Sequence, residues 1–359
     1  MNYKISHPTK VVKCEIDLPA SKSISNRLLI IQALCHQEIA ITNLSSSEDT
    51  KSLQKALIAN ESTIDVGAAG TSFRFLTAYL STLVGNRSIL TGSNRMKERP
   101  IKELVDALLE LGIEIKYLEK IGFPPLSILG AEITESKVII DGQISSQFIS
   151  AILLIAPTLK NGIKLKISGE IVSKPYIVMT LKLMQEFGIF HTWQENTIEI
   201  IPQQYIAKDY NIEADWTAAS FWYEIAALSI SCNIKLIGLS ENSIQGDKKV
   251  IELFEDLGVH TKFKNGSIIL TKKEKNIISK EINLISTPDL YQPLKCTHFS
   301  KNLTTKFLGL QTLKNKETDR IKAVEKELLK LKKTKKITTY KDHRMAMSFA
   351  PLCLKYDTL

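Results

Sequence analysis

Leu104-Val105-Asp106-Ala107-Leu108-Leu109-Glu110-Leu111-Gly112-Ile113 reads as an amphipathic helix closed by a glycine and handed on to a strand. The unit returns as Leu181-Lys182-Leu183-Met184-Gln185-Glu186-Phe187-Gly188-Ile189 and again as Val250-Ile251-Glu252-Leu253-Phe254-Glu255-Asp256-Leu257-Gly258-Val259. Its glycines stand 76 and 70 residues apart, which suggests one supersecondary unit used several times. Strand-like and helix-like segments alternate along the rest of the chain, so the class is α/β or α+β.

A chain of 359 residues is long for a single core, and two domains are expected. A polar stretch near Ile201-Pro202-Gln203-Gln204 marks a boundary ahead of Glu213. Apolar content of 44% with 24% charge belongs to a soluble globular protein. The N-terminus has no apolar signal region, and the longest apolar runs, such as Ile149 to Ala156, are too short to span a bilayer. Five scattered cysteines and six scattered histidines suggest neither a disulfide framework nor a metal site, and a reducing cytoplasm fits.

The net charge of +9 suits nucleic acid, an anionic membrane or small acids. Lys272-Lys273 and the run Lys332-Lys333-Thr334-Lys335-Lys336 read as solvated loops, and no aromatic stacking platform supports nucleic acid. Forty of the basic residues are Lys and seven are Arg. In such a chain an Arg marks a place for a planar, bidentate donor. Arg27, Arg74, Arg95, Arg99, Arg320 and Arg344 all fall in stretches of interest, while Arg87 reads as a loop residue.

Leu18-Pro19-Ala20-Ser21-Lys22-Ser23-Ile24-Ser25-Asn26-Arg27 reads as a strand end, a turn and a helix start, with Ser21 or Ser23 as N-cap. Orphan backbone N–H groups beside Lys22 favour an anion. Gly67-Ala68-Ala69-Gly70-Thr71-Ser72-Phe73-Arg74 is a small-residue turn into another helix, without the lysine ending of a nucleotide loop. Arg95-Met96-Lys97-Glu98-Arg99-Pro100, Ile144-Ser145-Ser146-Gln147-Phe148 and Ser173-Lys174-Pro175-Tyr176 each lead into a further helix. Lys316-Glu317-Thr318-Asp319-Arg320 reads as a helix start with Lys316 and Arg320 on one face, and Asp342-His343-Arg344 opens the last helix. So many helix starts bearing Ser, Thr, Lys or Arg suggest a positive cleft between two domains that traps small polyanions.

These stretches, in this order, resemble the 5-enolpyruvylshikimate-3-phosphate synthases, or 3-phosphoshikimate 1-carboxyvinyltransferases. The matching pieces are PASKSISNR, GAAGTSFR, LTGSNRMKERP, SSQF, SKPY, QGD, PD, KETDR and DHRMAM, spread over residues 18 to 347. The resemblance implies the two-domain enolpyruvyl transferase fold, each domain of three βαβαββ-type units with pseudo-threefold symmetry. Residues 1–20 with 213–359 would form one domain and 21–212 the other, with the active site in the cleft between them.

The implied reaction moves the enolpyruvyl group of phosphoenolpyruvate to the 5-hydroxyl of shikimate 3-phosphate and releases phosphate, with no metal or organic cofactor. By the resemblance Lys22, Gly70, Arg99, Gln147, Arg320 and Arg344 hold phosphoenolpyruvate. Ser23, Arg27, Ser145, Ser146, Gln147, Ser173, Tyr176, Asp289 and Lys316 hold shikimate 3-phosphate. Lys22, Asp289 and Glu317 supply the acid and base. A cytoplasmic monomer is expected, with small anionic substrates as its partners and neither nucleic acid nor membrane.

The chain departs from the family pattern at Ala68 (Asn), Phe75 (Pro), Thr312 (Asn), Val178 (Asp) and Leu290-Tyr291-Gln292-Pro293 (small residues). The family continues past the last helix with a strand and one further phosphoenolpyruvate-binding Lys, which Lys355 does not match. An incomplete final unit and a ligand set one cation short are therefore expected. Two other readings follow: a catalytically impaired relic that still binds ligand, and a transferase acting on a UDP-sugar. The second fits less well, because Ser23 follows Lys22 where that group has Asn, and no Cys lies beside Arg95–Arg99.

Overall fold

The computed structural model describes residues 3–59, 61–273, 281–331 and 333–356, so Lys332 and the end of the chain at Leu359 lie outside the described residues. The chain divides into two compact units, Met1–Pro19 with Glu213–Leu359, and Ala20–Ile212.

One sheet pattern appears three times. In the middle unit Thr63–Asp65 runs parallel to Arg87–Thr91, which pairs antiparallel with Leu126–Leu129, and that strand with Glu114–Tyr117. Lys137–Asp141, Ile163–Ser168, Thr197–Ile200 and Thr192–Gln194 repeat this order. In the other unit Val11–Asp17, Ser231–Ile237, Ser267–Lys272 and Val259–Lys264 do the same. Each final hairpin follows a helix that ends in the glycine unit, and Gly112, Gly188 and Gly258 all take positive φ, at 91°, 82° and 87°. A side chain there would be strained, which is why the sequence signal is a glycine.

A further pair, Glu281–Asn283 with Lys306–Leu308, is parallel like the first two strands of the repeat. Among the described residues no antiparallel hairpin completes it. Two smaller readings need correction. Arg87 opens a strand and pairs with Glu114 at 3.2 Å, and Lys272 ends a strand, donating to the Ser229 carbonyl; neither lies in a loop.

Strand faces alternate as period-two geometry requires: in Ile163–Ser168 the residues Ile163, Leu165 and Ile167 are buried and the Lys and Ser between them exposed. The helix Ser146–Ile155 is buried at every residue but Gln147 and sits at the centre of its unit. In the other unit the helix Trp216–Leu228 has the same place, with Trp216, Tyr223 and Ala227 packed among Ile234, Phe254, Leu294 and Phe349. All five thiols are free.

Glu224 lies in that central helix, fully buried, and neither carboxyl oxygen has a hydrogen-bond partner among the described residues. Burial pushes its pKa well above 4.5, so the folded chain holds a proton there that the unfolded chain releases. The stability this proton confers is present below about pH 4.5 and is lost as pH rises toward the elevated folded value. Glu224→Gln should therefore raise the melting temperature at pH 7–8 by at least about 2 °C and flatten its fall with pH. A melting series that shows the variant less stable at neutral pH, with the slope unchanged, contradicts this.

Candidate active site

The candidate residues follow strands. In each repeat they sit where a strand has ended and a helix begins, the place where open α/β layers gather ligands. In the middle unit Ser21 is the N-cap of Lys22–Leu34, its hydroxyl accepting from the Ile24 N–H, which settles which serine caps. Ser23 thus lies inside the first turn, beside Lys22.

The Lys22 ammonium lies 3.7 Å from Asp49 Oδ2. Asp49 Oδ1 accepts from Asn26 Nδ2 at 3.0 Å, from the Ser72 backbone N–H at 3.2 Å and from the Ser72 hydroxyl at 2.8 Å. One carboxylate thereby ties the starts of the Lys22 helix and of Gly70–Ser81 together. Sequence reasoning missed Asp49. It stands in the first turn of Glu48–Ile58, where an acid reads as a complement to the helix dipole.

Gly70 is where the small-residue turn meets Arg99. A Cβ built on it would come within 2.2 Å of Arg99 Nη1, so only glycine lets that guanidinium lie across the helix start. Arg74, one turn on, donates to the Gly70 carbonyl at 2.8 Å and to the Pro100 carbonyl at 3.3 Å, bracing both segments. Of the neighbouring cations, Arg95 pairs with Glu98 and Lys97 with Glu119 at the surface, while Arg99 is buried. Pro100 precedes the helix Lys102–Glu110 by two residues and does not occupy its first turn.

Ser145 caps Ser146–Ile155 by accepting from the Gln147 N–H, and the Gln147 amide donates to the Thr71 hydroxyl at 3.3 Å. Ser173 precedes Lys174–Glu186 in the left-handed region, with no side-chain cap bond. Arg27 is only 2% exposed. It donates to the Thr180 and Ser150 hydroxyls at 2.7 and 3.2 Å and to the Ser23 and Tyr176 carbonyls at 2.8 and 3.2 Å. Its guanidinium stacks 5.4 Å from the ring of Phe75, the residue that replaces the family's Pro. Burial pulls its pKa down to about 10, still fully charged at neutral pH.

In the other unit the centre is Arg320, 2% exposed. Its Nε donates to Asp342 at 2.9 Å, Nη1 to Asp289 at 3.1 Å and Nη2 to Glu317 at 2.6 Å. Arg344 Nη1 lies 3.3 Å from Asp289 Oδ1, and the Lys316 ammonium 3.7 Å from the same atom. Burial lowers the Lys316 pKa, with Asp289 opposing the shift. Asp342 caps the helix His343–Phe349 by accepting from the Arg344 N–H at 2.9 Å. One correction applies: the helix begins at Arg320, so Lys316 and Glu317 lie on the approach to it and not on its face.

Asp247, the acid of the QGD piece, has no role in the sequence reading. It is buried, and its pKa rises to about 7 through burial and the nearby charge of Asp289, even though the Thr217 hydroxyl bonds to it. Thr312, at the position of a family Asn, has a buried hydroxyl without a hydrogen-bond partner among the described residues.

The profile of EPSP synthase (3-phosphoshikimate 1-carboxyvinyltransferase) matches residues 6–59 and 51–357. The 3-phosphoshikimate 1-carboxyvinyltransferase of Bacteroides fragilis is 45% identical over 381 residues, covering 100% of this chain and 92% of the relative. The enzyme of the same name from Vibrio cholerae is 35% identical, covering 97% and 92%. The fold matches that of EPSP synthase from Acinetobacter baumannii with a TM-score of 0.76 at 20% identity, over 99% of this chain and 92% of that one. The fold is thus the two-domain enolpyruvyl transferase fold, and the chain belongs to the EPSP synthase family, the 3-phosphoshikimate 1-carboxyvinyltransferases.

Proposed function

We propose that this chain transfers the enolpyruvyl group of phosphoenolpyruvate to the 5-hydroxyl of shikimate 3-phosphate, releasing phosphate, and that the two residue sets above act on this one pair of substrates. The observation that carries the reading is the Arg320 cluster, in which one buried guanidinium holds Asp289 and Glu317, and Asp289 in turn gathers Lys316 and Arg344.

The substrates bring two phosphates and two carboxylates, which leave water only against charge-assisted contacts of roughly 1.5–3 kcal/mol each. Arg99 over Gly70, with Lys22, Gln147, Arg320 and Arg344, suits the small triply acidic phosphoenolpyruvate. Ser23, Arg27, Ser145, Ser146, Gln147, Ser173, Tyr176, Asp289 and Lys316 suit the hydroxylated ring and its phosphate. Arg27 acts mainly by bracing, since its donors already serve Ser23, Ser150, Tyr176 and Thr180.

The chemistry is addition followed by elimination. C3 of the enol phosphate gains a proton, the cationic C2 is attacked by the 5-hydroxyl as that group loses its proton, and phosphate then leaves as C3 gives up a proton, leaving the enol ether product. Each transfer needs a positioned acid or base. We assign these roles to Lys22, Glu317 and Asp289, with Asp247 as a further proton carrier beside Asp289. Arg320 fixes the orientation of Glu317 and Asp289, two of the three acids it bonds.

The comparisons do not favour the relic or the UDP-sugar reading. No helix among the described residues is long and apolar enough to cross a membrane. We further propose a cytoplasmic monomer that takes small acids and not nucleic acid.

A phosphate-release assay tests the reading directly: release should need both substrates and stop without either. Lys22→Met and Glu317→Gln should each lower turnover by at least about 100-fold while leaving the melting temperature near that of the parent chain. Parent-like turnover in either variant removes that residue from the mechanism. Gly70→Ala should push Arg99 aside and raise the KM for phosphoenolpyruvate about tenfold, with a smaller effect on shikimate 3-phosphate. An unchanged KM for phosphoenolpyruvate would show that Arg99 does not bind it.

A further inference from the structure

Ser173 is held in a costly shape. Its φ of 55° and ψ of 35° are left-handed, a conformation that disfavours any side chain, and its hydroxyl gains no capping bond in return. The next residue, Lys174, begins a helix although it precedes Pro175, a position biased toward extended backbone. Two unfavourable choices in succession need support from outside the turn.

The turn is pinned on either side. The Val172 N–H donates to the Gly142 carbonyl at 3.0 Å, and the Tyr176 carbonyl accepts from Arg27 at 3.2 Å and Thr180 at 2.9 Å. Between those anchors the Ser173 carbonyl accepts from the Tyr176 N–H at 3.0 Å, and the Lys174 ammonium lies 4.8 Å from the centre of the Trp193 ring, the side-chain contact that reaches out of the turn. The indole is itself fixed. Trp193 lies in the edge strand Thr192–Gln194 opposite Ile198, and its Nε1–H donates to the Glu195 carbonyl at 3.0 Å across the hairpin turn. The hairpin thus ends in a rigid aromatic face that receives the first residue of the Ser173 helix. An exposed cation–π contact is of the same order as the cost of a left-handed serine, so it is large enough to decide the population of the turn.

We infer that Trp193, acting through Lys174, is a positioning residue for Ser173. It keeps the Ser173 hydroxyl turned toward substrate and so tightens binding of shikimate 3-phosphate without taking part in the chemistry. The inference rests on the assignment of Ser173 to that substrate, made above.

Steady-state kinetics on the full chain tests it. Trp193→Leu and Lys174→Met should each raise the KM for shikimate 3-phosphate about two- to fivefold, leaving kcat and the KM for phosphoenolpyruvate essentially unchanged. Trp193→Phe, which keeps an aromatic face, should recover most of the loss. The double variant should be no worse than either single one, because both break the same contact. The inference is overturned if Lys174→Met acts while Trp193→Leu does not, since Lys174 would then touch substrate itself. It is also overturned if the effects add, or if both KM values rise together. Ser173→Ala separates the two levels. If it leaves the KM for shikimate 3-phosphate unchanged, the assignment of Ser173 fails; if it raises that KM while Trp193→Leu and Lys174→Met do not, only the role of Trp193 fails.

Discussion

A single buried guanidinium, that of Arg320, is shared by Asp289, Glu317 and Asp342. Burying Asp289 and Asp342, with the part-exposed Glu317 beside them, is very unfavourable unless a cation with several fixed donors meets them, and Arg presents such donors in a rigid fork where Lys would offer one compact charge. Asp342 also caps the following helix, so the network fixes backbone as well as charge. Arg344, two residues on from this cap, is thereby brought to Asp289. The cluster holds acids and bases in set positions before any substrate arrives, which is the main way a site of fixed charges lowers a barrier.

Arg27 solves the opposite problem in the middle unit. Its partners are two hydroxyls and two carbonyls, all neutral, so the guanidinium keeps a full positive charge inside the protein and contributes it to the surrounding field. Phe75 lies under it and supplies an aromatic face. Asp49 balances the neighbouring Lys22 and Ser72. One unit therefore concentrates paired charge, while in the other a buried cation is held by dipoles. Both arrangements grow from the same structural device, a strand that ends and a helix that starts with its N–H groups exposed.

Much of this was legible in the chain itself. The glycine units at Gly112, Gly188 and Gly258 announce the repeat because each occupies a positive-φ position that strains any side chain. The Arg residues that stand out against forty lysines include Arg27, Arg99, Arg320 and Arg344, all of them central here. Asp49 and Asp247 were not legible as partners, because their roles depend on residues far away in sequence, Lys22 and Ser72 for one and Thr217 and Asp289 for the other. The left-handed Ser173 was hidden for a similar reason, since a contact twenty residues downstream supports it. Lys316 and Glu317 looked helical by spacing alone, yet the helix waits for Arg320, whose side chain is already committed to the acids around it.

The central claim, that the acids of one unit depend on a shared buried cation, is tested most directly by denaturant unfolding at neutral pH of Arg320→Met beside Arg320→Met/Asp342→Asn. Losing the cation strands buried carboxylates, so the single variant should be less stable by about 3–5 kcal/mol. The double variant should regain part of that loss, because Asn still caps the helix but carries no charge. A single variant as stable as the parent chain, or a double variant weaker than the single, would contradict the account.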